Sequence, residues 1–173
     1  DYEQIVTFRK CLDKTNKVSI NSPSLISKKT SYKIQIGDVV LLEWLQKIGI
    51  SNKKSLTIGK IRIPDRYFKD FLRGHLDGDG HIRSYTDKYL SNINPNYVYD
   101  RLFIFFLSAS KKHMIWIRGK VLKFLNISGS FQEINSKTQL GKNKMYSIKY
   151  STKEAIKLAN WIYYDKNIPY LRR

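Results

Sequence analysis

The stretch Phe71-Leu-Arg-Gly-His-Leu-Asp-Gly-Asp-Gly80 decides the fold, and it lies within an apolar pattern of helical spacing. Pro64 and Asp65 precede it, and proline followed by an acidic residue is typical of a helix start. Apolar residues then recur at intervals of three and four, at Phe68, Phe71, Leu72 and Leu76. The pattern predicts an amphipathic helix over residues 65–79 that ends at a C-terminal glycine, Gly80.

Three residues of this predicted helix do not favour a helix by themselves. Gly74 and Gly78 lie on one face, and each weakens a helix by about 1 kcal/mol relative to alanine. Such a pair is useful mainly where another backbone must come very close. Asp79 falls in the last turn, where the helix dipole disfavours a carboxylate by roughly 0.3–1 kcal/mol. A bound cation would offset this repulsion, so Asp79 is a candidate metal ligand.

Two simpler interpretations apply to the last four residues of the stretch. Asp-Gly-Asp-Gly is also typical of a turn. It could equally open a calcium-binding loop, with Asp77 and Asp79 as the first and third ligands. That loop needs glycine at its sixth position and glutamate at its twelfth, where this chain has Ile82 and Lys88. The calcium loop is therefore excluded, whereas a turn stays open on these four residues alone.

The segment Leu72-Arg-Gly-His-Leu-Asp-Gly-Asp-Gly80, with its lead-in from Ile63, resembles the LAGLIDADG motif of homing endonucleases. In that family two such helices pack through their small residues, and the last acidic residue of each holds a divalent metal beside the scissile phosphate. The resemblance implies that Asp79 is catalytic and binds Mg²⁺, and that Gly74 and Gly78 are packing residues. His75 stands where the family usually has an apolar residue, and we interpret it as a packing or supporting residue.

Composition points to a polyanionic partner. The 173 residues include 32 Lys and Arg against 14 Asp and Glu, a net charge of +18. Charge alone does not tell whether the partner is DNA or RNA. A basic soluble protein without such a partner would have the same composition. The sequence has no apolar run of membrane-spanning length and no signal-peptide pattern, so we expect no membrane partner. The single Cys11 excludes an internal disulfide.

The order of predicted elements contains a repeat. Helices are expected near residues 1–15, 37–48, 65–79, 110–125 and 153–164, and strands near 18–22, 32–36, 81–85, 101–108, 129–134 and 145–150. Helix, strand, strand, helix over residues 1–48 therefore recurs over 110–164. Only the second copy is preceded by a motif helix and a strand pair. We expect a first motif segment of about 45 residues upstream of this chain.

The predicted domains are residues 1–55, a first repeat lacking its motif helix and hairpin, and residues 56–173, a second repeat with the motif helix. The expected fold is α+β. It consists of pseudo-symmetric, LAGLIDADG endonuclease-like αββαββα repeats, in which antiparallel sheets carry helices on one face and form a DNA-binding saddle on the other. A homodimer is disfavoured because the first repeat already occupies the partner's place, so we expect a monomer when the chain is intact.

Alternation along the strands places a polar set of side chains on the outward faces. The candidate DNA-binding residues are Lys33, Gln35, His81, Arg83, Tyr85, Gln132, Ser147 and Lys149. In the resembled family such side chains read base edges in the major groove, which suits Arg, Lys and Gln. A solvated sheet face is the alternative for any one of these residues.

A lysine after each repeat's final helix supports the family's site. Lys54 is our candidate for this catalytic role and Lys53 the alternative, while no choice can be made among Lys166, Arg172 and Arg173 for the second repeat.

The expected activity is site-specific, magnesium-dependent cleavage of double-stranded DNA. The alternative is a non-cleaving nucleic-acid binder on the same scaffold, either an intron-splicing maturase that binds intron RNA or a DNA-binding regulator. The presence of Asp79 favours the nuclease. The sequence does not indicate a cellular compartment.

Overall fold

A computed structural model describes residues 2–21, 30–52, 54–135 and 144–165. Its helices are α1 (Tyr2–Cys11), α2 (Val39–Ile48), α3 (Phe68–Asp79), α4 (Lys111–Leu125) and α5 (Lys153–Ile162). Its strands are β1 (Val18–Asn21), β2 (Ser31–Ile34), β3 (His81–Asp87), β4 (Tyr99–Ser108), β5 (Ser130–Asn135) and β6 (Lys144–Ser151). The chain therefore has an α+β fold with antiparallel sheets, as its sequence predicts.

The described residues form two compact units. Unit 1 contains the residues up to Glu43 together with Asp165, and unit 2 is Trp44–Tyr164. The order helix, strand, strand, helix occurs in α1–β1–β2–α2 and again in α4–β5–β6–α5, as predicted. Predictions that fall on residues 22–29, 53, 136–143 and 166–173 lie outside the described residues, and these include Lys53, Lys166, Arg172 and Arg173.

Unit 1 contains a two-stranded antiparallel sheet, β1–β2, and the beginning of α2. Tyr32 and Ile34 are half-buried while Lys33 is exposed, as the alternation predicts. Asp38 caps α2, because the backbone N–H of Leu41 donates to its Oδ1 at 2.9 Å. The ammonium of Lys14, 2.7 Å from Oδ2, and this backbone bond hold the pKa of Asp38 below its usual value.

Unit 2 is built on a four-stranded sheet in the order β3-β4-β6-β5. The side chains of Ile104, Phe106, Ile148 and Tyr150 are fully buried on one face of the sheet. They join one hydrophobic core with residues of α3, α4 and α5, so the three helices cover this face. At the centre, the ring centroid of Phe68 in α3 lies 5.5 Å from that of Trp116 in α4 and 6.2 Å from that of Trp161 in α5.

The motif helix begins later than the sequence predicts. Residues Asp65–Tyr67 form a turn of 3₁₀ helix, and α3 starts at Phe68. Asp65 is held there by two lysines of α4: Lys123 Nζ lies 2.8 Å from Oδ2, and Lys120 pairs with Oδ1. Hydrogen bonds from Lys120 and then Lys123 lower the pKa of Asp65 to about 2.

Gly80 ends the motif helix for a different reason from the one expected. A C-terminal glycine usually adopts a left-handed conformation, but Gly80 is extended, with φ −83° and ψ 177°. A Cβ at this position would lie 2.5 Å from Cδ1 and 2.6 Å from the carbonyl oxygen of Leu76. Glycine is required because the Gly80 backbone lies directly against Leu76 of the preceding turn, whose carbonyl accepts its N–H at 3.0 Å.

Candidate functional site

An open cleft of about 820 Å³ lies beside the C-terminal half of α3 in unit 2. It is lined by Ile50, Lys54, Ser55, Ile58, Ile61, Asp70, Phe71, Gly74, His75, Asp79, Leu107, Ser108, Ala109, His113 and Met145. Asp79 and Lys54 therefore line one cleft. They lie in different segments of the chain, and the sequence pointed to both for the same chemistry.

Asp79 is the last residue of α3 and its side chain is exposed. It makes no hydrogen bond or ion pair with another residue in the described ranges. The two other carboxylates of the helix have structural partners: Tyr163 donates to Asp77 Oδ1 at 2.5 Å, and Tyr164 donates to Asp70 Oδ1 at 3.1 Å. Of these three, Asp79 is the carboxylate placed to meet a ligand.

The residues at Asp79 fit a magnesium ion only in part. In the described portion of the chain, no three His, Cys, Asp or Glu side chains are arranged to hold a metal. Magnesium, however, is usually bound through one or two carboxylates together with waters and substrate phosphates. One exposed carboxylate at the edge of an open cleft matches that pattern, and the remaining ligands would come from substrate, water or another segment.

Lys54 is held at the cleft by its backbone. The N–H groups of Thr57 and Ile58 donate to its carbonyl oxygen at 3.0 and 2.8 Å, which closes a turn. Two residues at the start of α4 fix the segment that follows. Ser110 donates to the carbonyl of Ile58, and His113 Nδ1 donates to the carbonyl of Gly59 at 2.7 Å. The side chain of Lys54 stays exposed and available to an anion.

His75 lies one helical turn before Asp79 and packs inside the cleft. Its ring stacks on that of His113, with centroids 5.6 Å apart and an interplanar angle of 22°. It also contacts Phe71 and Phe106. Its Nδ1 is buried and has no hydrogen-bond partner among the described residues. Burial, reinforced by His113, lowers the pKa of His75 although the charge of Asp79 opposes this shift. His75 is therefore a neutral packing residue at pH 7.

Gly74 and Gly78 form an exposed strip on α3. An ideal Cβ at either glycine would meet no described atom within 4 Å outside the helix's own backbone. The strip therefore has the free space that a closely approaching backbone would need.

The second face of the unit 2 sheet carries most of the candidate DNA-binding residues named from the sequence. Direct partners in antiparallel strands share a face, and the register pairs His81 with Phe105 and Phe105 with Lys149. The same face continues across the strands in three further rows. These rows are Arg83, Phe103 and Ser151; Tyr85 and Arg101; and Leu107, Ser147 and Gln132. We call this surface the open face, because the residues on the opposite side form the helix-covered core.

The open face is cationic and aromatic. The guanidinium carbon of Arg83 lies 4.9 Å from the ring centroid of Tyr85, within the limit of roughly 6 Å for a cation–π contact. Lys149 Nζ lies 4.3 Å from the ring centroid of Phe103. Neither cation is in an ion pair with a carboxylate of the described chain, whereas Arg101 pairs with Asp87 at 3.2 Å. Two positive charges are thus available to a polyanion.

Three of the candidate DNA-binding residues are not exposed on the open face. Ser147 has the right register but is only 2% exposed, its short side chain lying in the row between Leu107 and Gln132. Lys33 and Gln35 are exposed but belong to unit 1, so they form a separate candidate patch.

Sequence reasoning missed Phe103, Phe105 and Arg101 on the open face. The run Arg101-Leu-Phe-Ile-Phe-Phe-Leu is almost continuously apolar, so alternation cannot assign its faces. The pairing with β3, whose own alternation is clear, was the signal that could have placed them.

Comparison with protein-family models and with curated proteins gave no match. Among the described residues, no helix combines the length and the apolar character needed to cross a bilayer.

Proposed function

We propose that this chain belongs to a LAGLIDADG-type homing endonuclease that cleaves double-stranded DNA at a specific site with Mg²⁺. The observation that carries the proposal is the position of Asp79 and Lys54 on one cleft, at the end of a helix whose glycine strip is exposed. The motif of residues 72–80 and the net charge of +18 support it.

The proposed architecture has αββαββα repeats that pack through paired motif helices. Gly74 and Gly78 leave room for the backbone of a second motif helix, which an upstream segment of the intact protein would supply. That helix would bring a second carboxylate beside Asp79. The intact protein would then act as a monomer with the target DNA as its partner.

Each side chain at the cleft has a distinct part in hydrolysis. Asp79 would hold the metal, which when bound polarises the scissile phosphate and activates water. Lys54 would place a positive charge beside the phosphate, where negative charge accumulates as the bond breaks. His75, neutral and packed against His113, would keep the last turn of α3 in place.

The open face would bind the duplex. Arg83, Lys149 and Gln132 have side chains that can pair with guanine or adenine in the major groove. His81 and Tyr85 lie in the same face and extend the contact surface. Lys33 and Gln35 would make the equivalent contacts from unit 1.

A non-cleaving nucleic-acid binder is the second candidate. The observation behind it is the open face itself, where Arg83 and Lys149 are free of carboxylate partners among the described residues and would bind a polyanion whether or not it is cut. On this alternative the charged open face would bind DNA or intron RNA without hydrolysis.

The test uses the intact parent chain and a randomised duplex library. Bound DNA is selected in calcium and then exposed to magnesium. We expect cutting by the wild type and none by Asp79→Asn, which should still bind the selected duplex. The control variant is Asp100→Asn, which makes the same charge change at the far end of the β3–β4 hairpin, where Asp100 pairs with Thr86. It should cut normally.

Selective duplex binding without cutting in magnesium or manganese would refute the nuclease and favour the non-cleaving binder. Failure to select any duplex would direct the same assay to intron RNA. Cutting that persists in Asp79→Asn would remove the metal role of this residue.

A further inference from the structure

Two phenylalanines form an apolar strip along the middle of the open face. In one cross-strand row Phe105 lies between His81 and Lys149, and in the next Phe103 lies between Arg83 and Ser151. Both phenylalanines are half-buried. Their ring centroids are 6.3 Å apart, and each ring contacts an aromatic ring of β3. The strip is therefore fixed by its neighbours.

The strip lies between the candidate base-reading residues. Neighbouring strands are about 4.8 Å apart, so the strands that carry Arg83 and Lys149 lie roughly 10 Å from each other, with β4 between them. This separation is within the major-groove width of about 12 Å. If side chains of β3 and β6 reach base edges, those of β4 face the floor of the groove between them.

A phenyl ring at that position discriminates among bases. A donor or acceptor edge placed against it would lose water without gaining a hydrogen bond, which is unfavourable. The apolar group that the major groove presents is the 5-methyl of thymine. We propose that Phe103 and Phe105 are specificity-determining residues, each contacting thymine methyl groups in the DNA target. The proposal rests on the proposed function and names a base preference of the same binding face.

The test compares thymine with uracil in the duplex obtained by selection. Uracil removes the methyl group and leaves every hydrogen-bonding position unchanged. Each thymine is replaced singly, and the dissociation constant is measured in calcium with the intact parent chain. We expect about fourfold weaker binding at one or a few clustered positions, the equivalent of losing one buried methyl group per site.

Variants assign the effect to the strip. Each phenylalanine should account for particular uracil-sensitive positions of the duplex. At those positions, the variant Phe103→Ala or Phe105→Ala should bind the thymine and uracil duplexes equally. Ile82→Ala provides the control, because it removes an apolar side chain that is exposed on the other face of β3 and should keep the thymine preference. If an alanine variant does not fold, the tyrosine variant of the same residue keeps the ring and places a hydroxyl at the methyl, which should lower the preference.

The outcomes separate the two proposals. A selected duplex with no uracil-sensitive position, or with sensitivity unchanged in both phenylalanine variants, overturns this inference and leaves the proposed function standing. Failure to select a duplex overturns the proposed function, and the inference with it.

Discussion

The glycines of α3 allow one substitution to be compared in two opposite environments. Gly78→Ala adds a methyl group to an exposed helical position where no described atom outside the helix's own backbone lies within 4 Å. Alanine is better than glycine in a helix by about 1 kcal/mol. Gly80→Ala adds the same group 2.5 Å from Cδ1, 2.6 Å from the oxygen and 2.7 Å from Cα of Leu76. The last two are backbone atoms, so the end of the helix has to shift.

The expected effects on stability have opposite signs. Gly78→Ala should raise the free energy of unfolding by about 1 kcal/mol, and Gly80→Ala should lower it by about 1–3 kcal/mol, as overpacking does. Gly74→Ala, with equal free space, is the matched control and should behave like Gly78→Ala. The measurement is urea unfolding of the 173-residue chain, with the slope m compared among variants to show that the unfolded states are alike.

Two results would refute this reasoning. Destabilisation by Gly78→Ala would mean that another part of the chain already lies against the glycine strip. An unchanged stability in Gly80→Ala would mean that the turn over Leu76 relaxes freely. In the intact parent, the proposed function adds a further expectation: Gly78→Ala should stabilise the fold and still impair cleavage, because its methyl group obstructs the second motif helix.

Two further substitutions test buried polar groups in unit 2. The pKa of His75 lies below its ordinary value of 6.5, so the unfolded chain binds more protons, and stability should fall as the pH drops from about 6.5 towards the lowered pKa. His75→Phe should reduce this loss, measured by urea unfolding between about pH 5 and 7.5, a range that brackets the ordinary histidine pKa. An unchanged pH dependence would show that protonation of His75 does not lower the free energy of unfolding. The hydroxyl of Tyr150 is buried without a described partner, and burial raises its pKa. Tyr150→Phe should therefore raise the free energy of unfolding by about 1 kcal/mol, and a loss of stability in thermal or urea unfolding would reveal a hydrogen bond to that hydroxyl.

Much of the fold was predictable because local signals agree with the tertiary structure. The 3.6-residue apolar pattern from Phe68 to Leu76 defined α3. The helices expected near residues 37 and 110 are present, and their first turns are capped by Asp38 and Ser110. The start of α3 was wrong because Pro64 and Asp65 are helix-start signals that a 3₁₀ turn also satisfies. Its end was placed correctly, but the reason for Gly80 depends on contact with Leu76, which spacing alone does not reveal.

The candidate site was predictable only where a residue's chemistry was unusual for its position. Asp79 was identified because a carboxylate is disfavoured at a helix C-terminus. His113 was not, because its role depends on stacking against His75 and on a hydrogen bond to Gly59, which lies 54 positions away. Contacts of that separation are set by packing and leave no periodic trace in the sequence.

Two hydrogen bonds of α3 cannot form until the end of α5 and the residues after it have been synthesised. Asp77 and Asp70 of α3 bond Tyr163 and Tyr164, which lie 86 and 94 positions later in the chain. At 5–20 residues per second, a ribosome reaches Tyr163 roughly 4–17 s after it has made Asp77. The β3–β4 hairpin, whose partners are adjacent in the chain, can pair during that interval. A nascent chain would therefore present a strand surface able to attract nucleic acid before the helix that carries Asp79 is anchored.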